Sequence, residues 1–184
     1  MAVTVLVPLA EGFEEIEAVT IIDVLRRAGA EVVAAATGSA LAVMGARGVR
    51  VLADALLADV AGREFELIAL PGGVPGATNL AASAALNDLL QSQASADRLI
   101  GAICAAPAVA LQPLGLLQGK HATCYPSFGD RLGPAGPAAG AVVRDGQLLT
   151  SRGPGTAMAF ALALAEALFG PAKRAELAQA LLAE

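Results

Sequence analysis

Tryptophan is absent from this 184-residue chain, and large rings are scarce altogether, with one tyrosine and five phenylalanines. The core must therefore be filled mainly by Ala, Val and Leu, which suits close packing of helices on a sheet. Positive charge is also in short supply. Twelve Lys and Arg stand against seventeen Asp and Glu, a formal charge of −5, so there is no basic footprint for nucleic acid or an anionic membrane surface. One histidine and two cysteines cannot build a plausible metal site without unusual carboxylate help, so no metal is expected. No apolar run reaches the roughly 18 residues of a membrane span. The nearest, AMAFALALAEALFG, is shorter and carries Glu166.

A glycine-rich phosphate loop is missing as well. The first apolar run, AVTVLVPLA, leads into AEGFEE, whose acids would repel a phosphate, so the chemistry is expected to need no cofactor. That run has no cationic stretch before it and meets Glu11, Glu14, Glu15 and Glu17 directly after, so it reads as a first strand rather than a signal peptide. A cytoplasmic address is the simplest expectation, with Cys104 and Cys124 reduced. Residues 1–184 are read as a single domain, since the chain is shorter than the length at which a second core forms.

What is present is alternation. VTVLV, EEIEAVTIIDVLRRAG, EVVAAA, FELIALPGG, ALNDLLQS and RLIGAIC succeed one another as strand-like and helix-like stretches, the pattern of parallel β-α-β units covered on both faces. In the first helix Ile16, Val19, Ile22 and Leu25 recur at helical spacing and predict the buried face. Acids crowd its first turn, Arg26 and Arg27 its last, and Gly29 ends it. LAVMGARGVRVLAD reads as a small β-excursion, and AVVRDGQLLTS as a hairpin turning at Asp-Gly. Residues 133–140, rich in Pro, Gly and Ala, read as a surface loop, and two helices close the chain.

The chemistry concentrates where strands end. In LIGAICAAPAVAL an apolar strand meets a thiol and then a helix-like run, which predicts a nucleophile elbow with Cys104 at the carboxyl edge of the sheet. First-turn amides and a helix dipole there would favour thiolate. The PGG at residues 71–73 is either a plain turn or a place where Gly73, together with the amide of Ala105, forms an oxyanion hole. Glu17 comes after Ile16 and precedes Val19, so it flanks the predicted buried face, while Glu14 and Glu15 are expected to face water. Desolvated over the sheet edge, Glu17 would hold its proton and serve as general acid and base beside the thiol.

EGFEEIEAVTIIDVLRRAG, ALPGG, GAICAAPA and TSRGPGTA, in this order and spacing, resemble the ThiJ/PfpI superfamily, in the branch of the YajL-like and deglycase proteins. The resemblance spans nearly the whole chain. It implies a flavodoxin-like three-layer sandwich with a mainly parallel central sheet, a homodimer, and a reactive cysteine, Cys104, hydrogen-bonded to a protonated glutamate, Glu17. It also implies amides of Gly73 and Ala105 on the reacting oxygen. Arg27 and Arg47 occupy the places of an anion site near the dimer interface, or are solvated surface charges. Arg152 and Gly153 fall where relatives make loop contacts near the nucleophile.

Tyr125 precedes Pro126 where some relatives carry histidine, so a hydroxyl donor replaces an imidazole. The lone His121 lies earlier, at the expected start of a strand, and reads as a solvated residue. The position after the nucleophile, histidine in protease-like cousins, is Ala105, which disfavours peptidase activity. Cys124 is either a structural strand cysteine or a second redox thiol. The implied function is cofactor-independent attack on small reactive dicarbonyls or their glycation adducts, of the deglycase or glyoxalase type, with nucleic acid entering only as a glycated substrate. The alternative is a redox sensor or chaperone working through oxidation of Cys104.

Overall fold

The computed structural model describes residues 2–183, so the two end residues of the span read as one domain lie outside the described residues. The chain runs β1 (Thr4–Leu9), α1 (Glu15–Ala28), β2 (Glu31–Ala36), β3 (Ala42–Met44), β4 (Arg50–Leu52), β5 (Ala55–Leu56) and α2 (Leu57–Val60). It continues through β6 (Leu67–Leu70), α3 (Gly76–Ala81), α4 (Ala84–Ser95), β7 (Leu99–Ile103), β8 (Val142–Asp145), β9 (Leu148–Ser151), α5 (Ala157–Phe169) and α6 (Pro171–Ala180). Between β7 and β8 lie a single π-turn, Pro107–Leu111, and a 3-10 stretch, Pro126–Ala135.

Seven strands stack in the order β5-β2-β1-β6-β7-β9-β8. All neighbours are parallel except β8 and β9, the hairpin expected around Asp145 and Gly146. Without the two-residue β5 and the antiparallel edge β8, the strand order is that of flavodoxin-like doubly wound sheets. In such sheets the chain winds outward in both directions from a switch point, here between β1 and β6. The crevice beyond the carboxyl ends at that point is where ligands bind.

Side chains alternate across the sheet with period two. Val5, Val7 and Leu9 of β1 point into the layer of α1, α5 and α6, with Ile21, Phe160 and Leu164. Leu6 points the other way, with Ile68 and Leu70, into a layer completed by Leu80, Leu86, Leu90 and Leu111. Burial of each such Leu, Ile or Phe contributes about 1.5–3 kcal/mol. With few large rings available, the layers close by bringing backbone near side chain. A Cβ on Gly101 in β7 would come within 2.9 Å of Leu164 Cδ2 and 3.1 Å of Phe160 Cζ.

Several expectations are corrected here. Ile16 and Val19 are 58% and 47% exposed, and the buried stripe of α1 is Glu15, Glu17, Ala18, Ile21, Val24, Leu25 and Ala28. The true apolar face lies one step round the helix from the predicted one, so Glu17 stands on it rather than beside it. The segment around His121 and Cys124 is not a strand. It runs beside β9 through a Thr123 amide donating to Thr150 Oγ1, and is tied by Ala122 and Ala138 amides donating to Ala135 and Ala122 carbonyls. Those bonds pull Ala135, inside the expected surface loop, into the core. The β-excursion is as expected, with β3 and β4 forming a separate antiparallel pair.

Candidate active site

Cys104 comes directly after the last residue of β7 and adopts φ +63°. A non-glycine residue pays on the order of 1 kcal/mol or more for that conformation and keeps it only where neighbours hold it. Both its backbone groups are held. Its N–H donates to Ser151 O at 3.0 Å, and its C=O accepts from Tyr125 N at 2.8 Å. The turn so fixed leaves the side chain only 8% exposed, at the floor of a cavity. After the turn the chain continues, as expected, into a helix N-terminus, a short irregular helix made of a π-turn at Pro107–Leu111 and a 3-10 turn at Gln112–Leu114. Two backbone amides, of Gly73 and of Ala105 where this helix begins, are directed at the sulfur.

Glu17 reaches the same point from the other side. Glu14 caps α1, its side chain accepting from the Glu17 amide at 2.8 Å, and this starts the helix so that Glu17 falls on the buried stripe. The Glu17 side chain is fully buried, its Oε2 accepts from the Gly72 amide at 2.7 Å, and its carboxyl faces the Cys104 thiol. Its Oε1 has no hydrogen-bond partner among the described residues. Only glycine fits at position 72, because a Cβ there would lie 2.5 Å from Cys104 Cβ and 2.9 Å from Glu17 Oε2.

Burial pushes the Glu17 carboxyl up to about 7; the Gly72 amide and Cys104 pull it back, and the charge of Glu14 adds to the rise. Burial, then the charge of an ionised Glu17, push the Cys104 thiol up to about 12, while the Gly73 and Ala105 amides pull it down. Two acids in contact titrate as a pair. One proton leaves near neutrality and the second is retained, and three amides decide where the remaining negative charge rests. Two of them point at sulfur and one at the carboxyl. With the proton on Glu17, the carboxyl repels nothing and its O–H donates to sulfur, which also satisfies the orphan Oε1.

The cavity above this pair measures about 250 Å³, with Gly73, Ala105, Arg47, Tyr125 and Phe128 in its walls. A shallower groove of about 220 Å³ adjoins it across Tyr125 and Pro154 and is lined by Arg152 and Gly153. The Tyr125 ring lies over Gly153, where a Cβ would come within 3.1 Å of it. Arg27 is not brought to the site. It sits on the exposed last turn of α1, paired with Asp23 at 2.8 Å. His121 is exposed, and Cys124 is buried with its thiol on the Tyr125 carbonyl and pushed up to about 11 by burial.

Sequence reasoning missed Gly72, Glu14 and Glu15. Glu14 lines the cavity, and Glu15, expected to face water, is 8% exposed. The available signal was the stripe Ala18, Ile21, Leu25 and Ala28, which places residues 14 and 17 on its own face one turn earlier. Among the described residues no group of His, Cys, Asp and Glu is arranged to hold a metal, and no helix is long and apolar enough to cross a membrane.

A flavodoxin-like sandwich with a strained cysteine elbow at its switch point, facing a buried carboxyl, defines a class of thiol-bearing α/β proteins. The chain belongs to the DJ-1/PfpI family, whose model matches residues 3–167. It is 47% identical over 178 residues to protein DJ-1 homolog A of Arabidopsis thaliana, covering 97% of this chain but 45% of that one. The chain thus spans about half the length of that relative. Protein dj-1beta of Drosophila melanogaster is 46% identical, with 99% and 98% covered. The glutathione-independent glyoxalase DJR-1.2 of Caenorhabditis elegans is 39% identical, with 89% and 87% covered. Among solved structures, oxidized DJ-1 of Toxoplasma gondii superposes with a TM-score of 0.97 at 47% identity, with 98% of each chain covered.

Glu17 binds its proton more tightly in the folded chain than in the unfolded one. The stability this contributes is complete below the ordinary value of 4.5 and is lost as pH rises through about 7. Glu17→Gln keeps the acceptor for Gly72 and never ionises. It is expected to exceed the parent in stability at pH 8, by up to about 3 kcal/mol, and to show no such gain at pH 4. Urea unfolding of both proteins at the two pH values checks this.

Proposed function

We propose that the chain is a cofactor-independent cysteine enzyme that converts small α-dicarbonyls, or their early adducts with amines and thiols, into hydroxy acids. The observation that carries this reading is the buried Cys104 and Glu17 pair, with the Gly73 and Ala105 amides aimed at the sulfur. The cavity, about 250 Å³, is below the ~300–1,000 Å³ of drug-sized pockets and suits a molecule of a few heavy atoms. The C. elegans relative named as a glutathione-independent glyoxalase supports the same chemistry.

Cys104 thiolate adds to the aldehyde carbon of an α-oxoaldehyde, and the new oxyanion takes over the two amides that held the sulfur's charge. Glu17 donates its proton to that oxygen. As carboxylate it then removes the hydrogen from the former aldehyde carbon as a proton, giving an enediolate, and returns it to the neighbouring carbon while the hydroxyl proton passes to the neighbouring oxygen. The product is a thioester of the 2-hydroxy acid. Water cleaves it, the hydroxy acid leaves as its carboxylate with release of one proton, and the Cys104 thiolate and the Glu17 carboxyl are restored with no net oxidation. For a glycation adduct, elimination of the amine or thiol supplies the same aldehyde to Cys104, which is the deglycase version. Tyr125, Arg47 and, from the groove, Arg152 and Gly153 would contact the substrate's far end.

A homodimer is part of the reading. Ile16, Val19, Val49 and Leu52 are 47–73% exposed on α1, β4 and the loop before β4, an apolar surface of the kind that marks an interface. A cytoplasmic setting, where both free cysteines stay reduced, suits the chemistry.

A second reading, redox sensing, is favoured by the T. gondii relative, solved in an oxidized form. The same amides and the Glu17 O–H would hold the oxygens of a Cys104 sulfinate, and peroxide would supply the oxidant.

Purified reduced protein is expected to release lactate from methylglyoxal without glutathione. Cys104→Ser and Glu17→Gln should each lower kcat by at least about 100-fold, by enzymatic lactate assay; lactate release that survives Glu17→Gln contradicts the mechanism. Leu52→Asp should convert the dimer to monomer in sedimentation equilibrium, and a parent protein that sediments as a monomer contradicts the interface.

A further inference from the structure

Beside the reacting pair, the first turn of α1 carries a carboxylate that the mechanism does not use. Glu15 is buried, and its Oε1 accepts from the backbone amides of Arg47 and Val49. Its Oε2 is buried with no partner among the described residues. Position 45 must be glycine for this to happen, since a Cβ there would overlap the Glu15 carboxylate, 2.5 Å from its carboxyl carbon. The turn that Glu15 grips, residues 45–49, belongs to the β3–β4 pair, which forms its own sheet outside the central one. Further backbone bonds fasten it to the start of α1, from Gly12 N to Met44 O and from Ala46 N to Phe13 O. That turn places Ala46 and Arg47 in the wall of the Cys104 cavity, opposite Tyr125 and Phe128.

We propose that Glu15 is a positioning residue for substrate recognition: by holding the two amides of the 45–49 turn, it sets the Arg47 wall of the cavity and so its preference for anionic groups. The three glutamates of one helical turn then divide the work. Glu14 caps the helix, Glu15 holds the far wall, and Glu17 reaches the sulfur. The sign of the effect separates positioning from charge. Removing a carboxylate near a cavity favours anions by electrostatics alone, whereas releasing Arg47 disfavours them. What Glu15 supplies is an acceptor oxygen, so an uncharged acceptor of the same shape should serve.

The inference rests on Arg47 facing the proposed substrate pocket, and its test needs no turnover. Cys104 thiolate displaces iodide from iodoacetate, which is anionic, and from iodoacetamide, which is neutral, and the ratio of the two rates measures anion preference at the sulfur. Arg47→Gln is expected to lower that ratio about threefold to fivefold, the effect of one charge at near-surface dielectric. Glu15→Ala should lower it as far, although it removes a negative charge. Glu15→Gln should retain the parent ratio, and faster hydrogen exchange at the Arg47 and Val49 amides should appear in Glu15→Ala only. Gly45→Ala, which pushes the carboxylate aside, should act like Glu15→Ala and replaces it if that variant does not fold. A Glu15→Ala ratio equal to or above the parent's, a Glu15→Gln that falls with Glu15→Ala, or an Arg47→Gln that changes nothing overturns the proposal. If the ratios behave as expected while methylglyoxal yields no lactate, the glyoxalase reading fails and the role of Glu15 stands.

Discussion

A carboxyl sealed from water against a thiol is the constraint on which the rest of this structure depends. An isolated buried charge is prohibitive, so a side chain in that position keeps its proton or finds donors. Glu17 has a single amide, and burial holds its proton on to about neutral pH. Cys104 has two amides. The pair can therefore hold one proton and one charge at little cost, whereas two charges or an unpaired one would destabilise the fold.

The surrounding architecture serves that contact. The doubly wound sheet brings the ends of β1, β6 and β7 together at its switch point, and each contributes one part: the α1 carboxyl after β1, the glycine pair after β6, the thiol after β7. Gly72 keeps the space between sulfur and carboxyl free of side chain, and its own amide closes the contact. The positive φ of Cys104 stores strain that Ser151 and Tyr125 restrain through the backbone. The same helical turn that delivers Glu17 also anchors a second sheet as one wall of the cavity, so the thiol–carboxyl pair and the cavity wall share one origin.

Much of this was legible in the chain. Alternating apolar runs identify the parallel sheet because its strands are buried on both faces, and the thiol between a strand-like and a helix-like run identifies the elbow. The orientation of α1 was not legible. Ile16 and Val19 are apolar yet exposed, and they draw the predicted stripe toward the outer side of the helix, while the real core face includes two glutamates. A periodicity count treats Glu15 and Glu17 as polar, and only tertiary partners, the amides of Gly72, Arg47 and Val49, make their burial tolerable. GAICAAPA implies a helix N-terminus, and the chain makes one as a short π and 3-10 helix, while a second amide at the sulfur comes from Gly73, some thirty residues upstream. Arg27 fails to reach the cavity because it stands on the exposed last turn of α1, at the opposite end of the helix from Glu17, where it pairs with Asp23.

The central claim is that the proton of the pair rests on Glu17 and the charge on Cys104. The most direct measurement is the pH dependence of Cys104 alkylation by iodoacetamide in the parent protein and in Glu17→Gln, tracked by mass spectrometry. If Glu17 is the neutral donor, the parent profile has its midpoint below the ordinary thiol value of about 8.5, and the substitution moves that midpoint upward, because a buried thiol must then ionise beside a weaker donor. A midpoint that falls in Glu17→Gln would mean that the carboxylate was charged and repelling the thiolate, and would contradict the account.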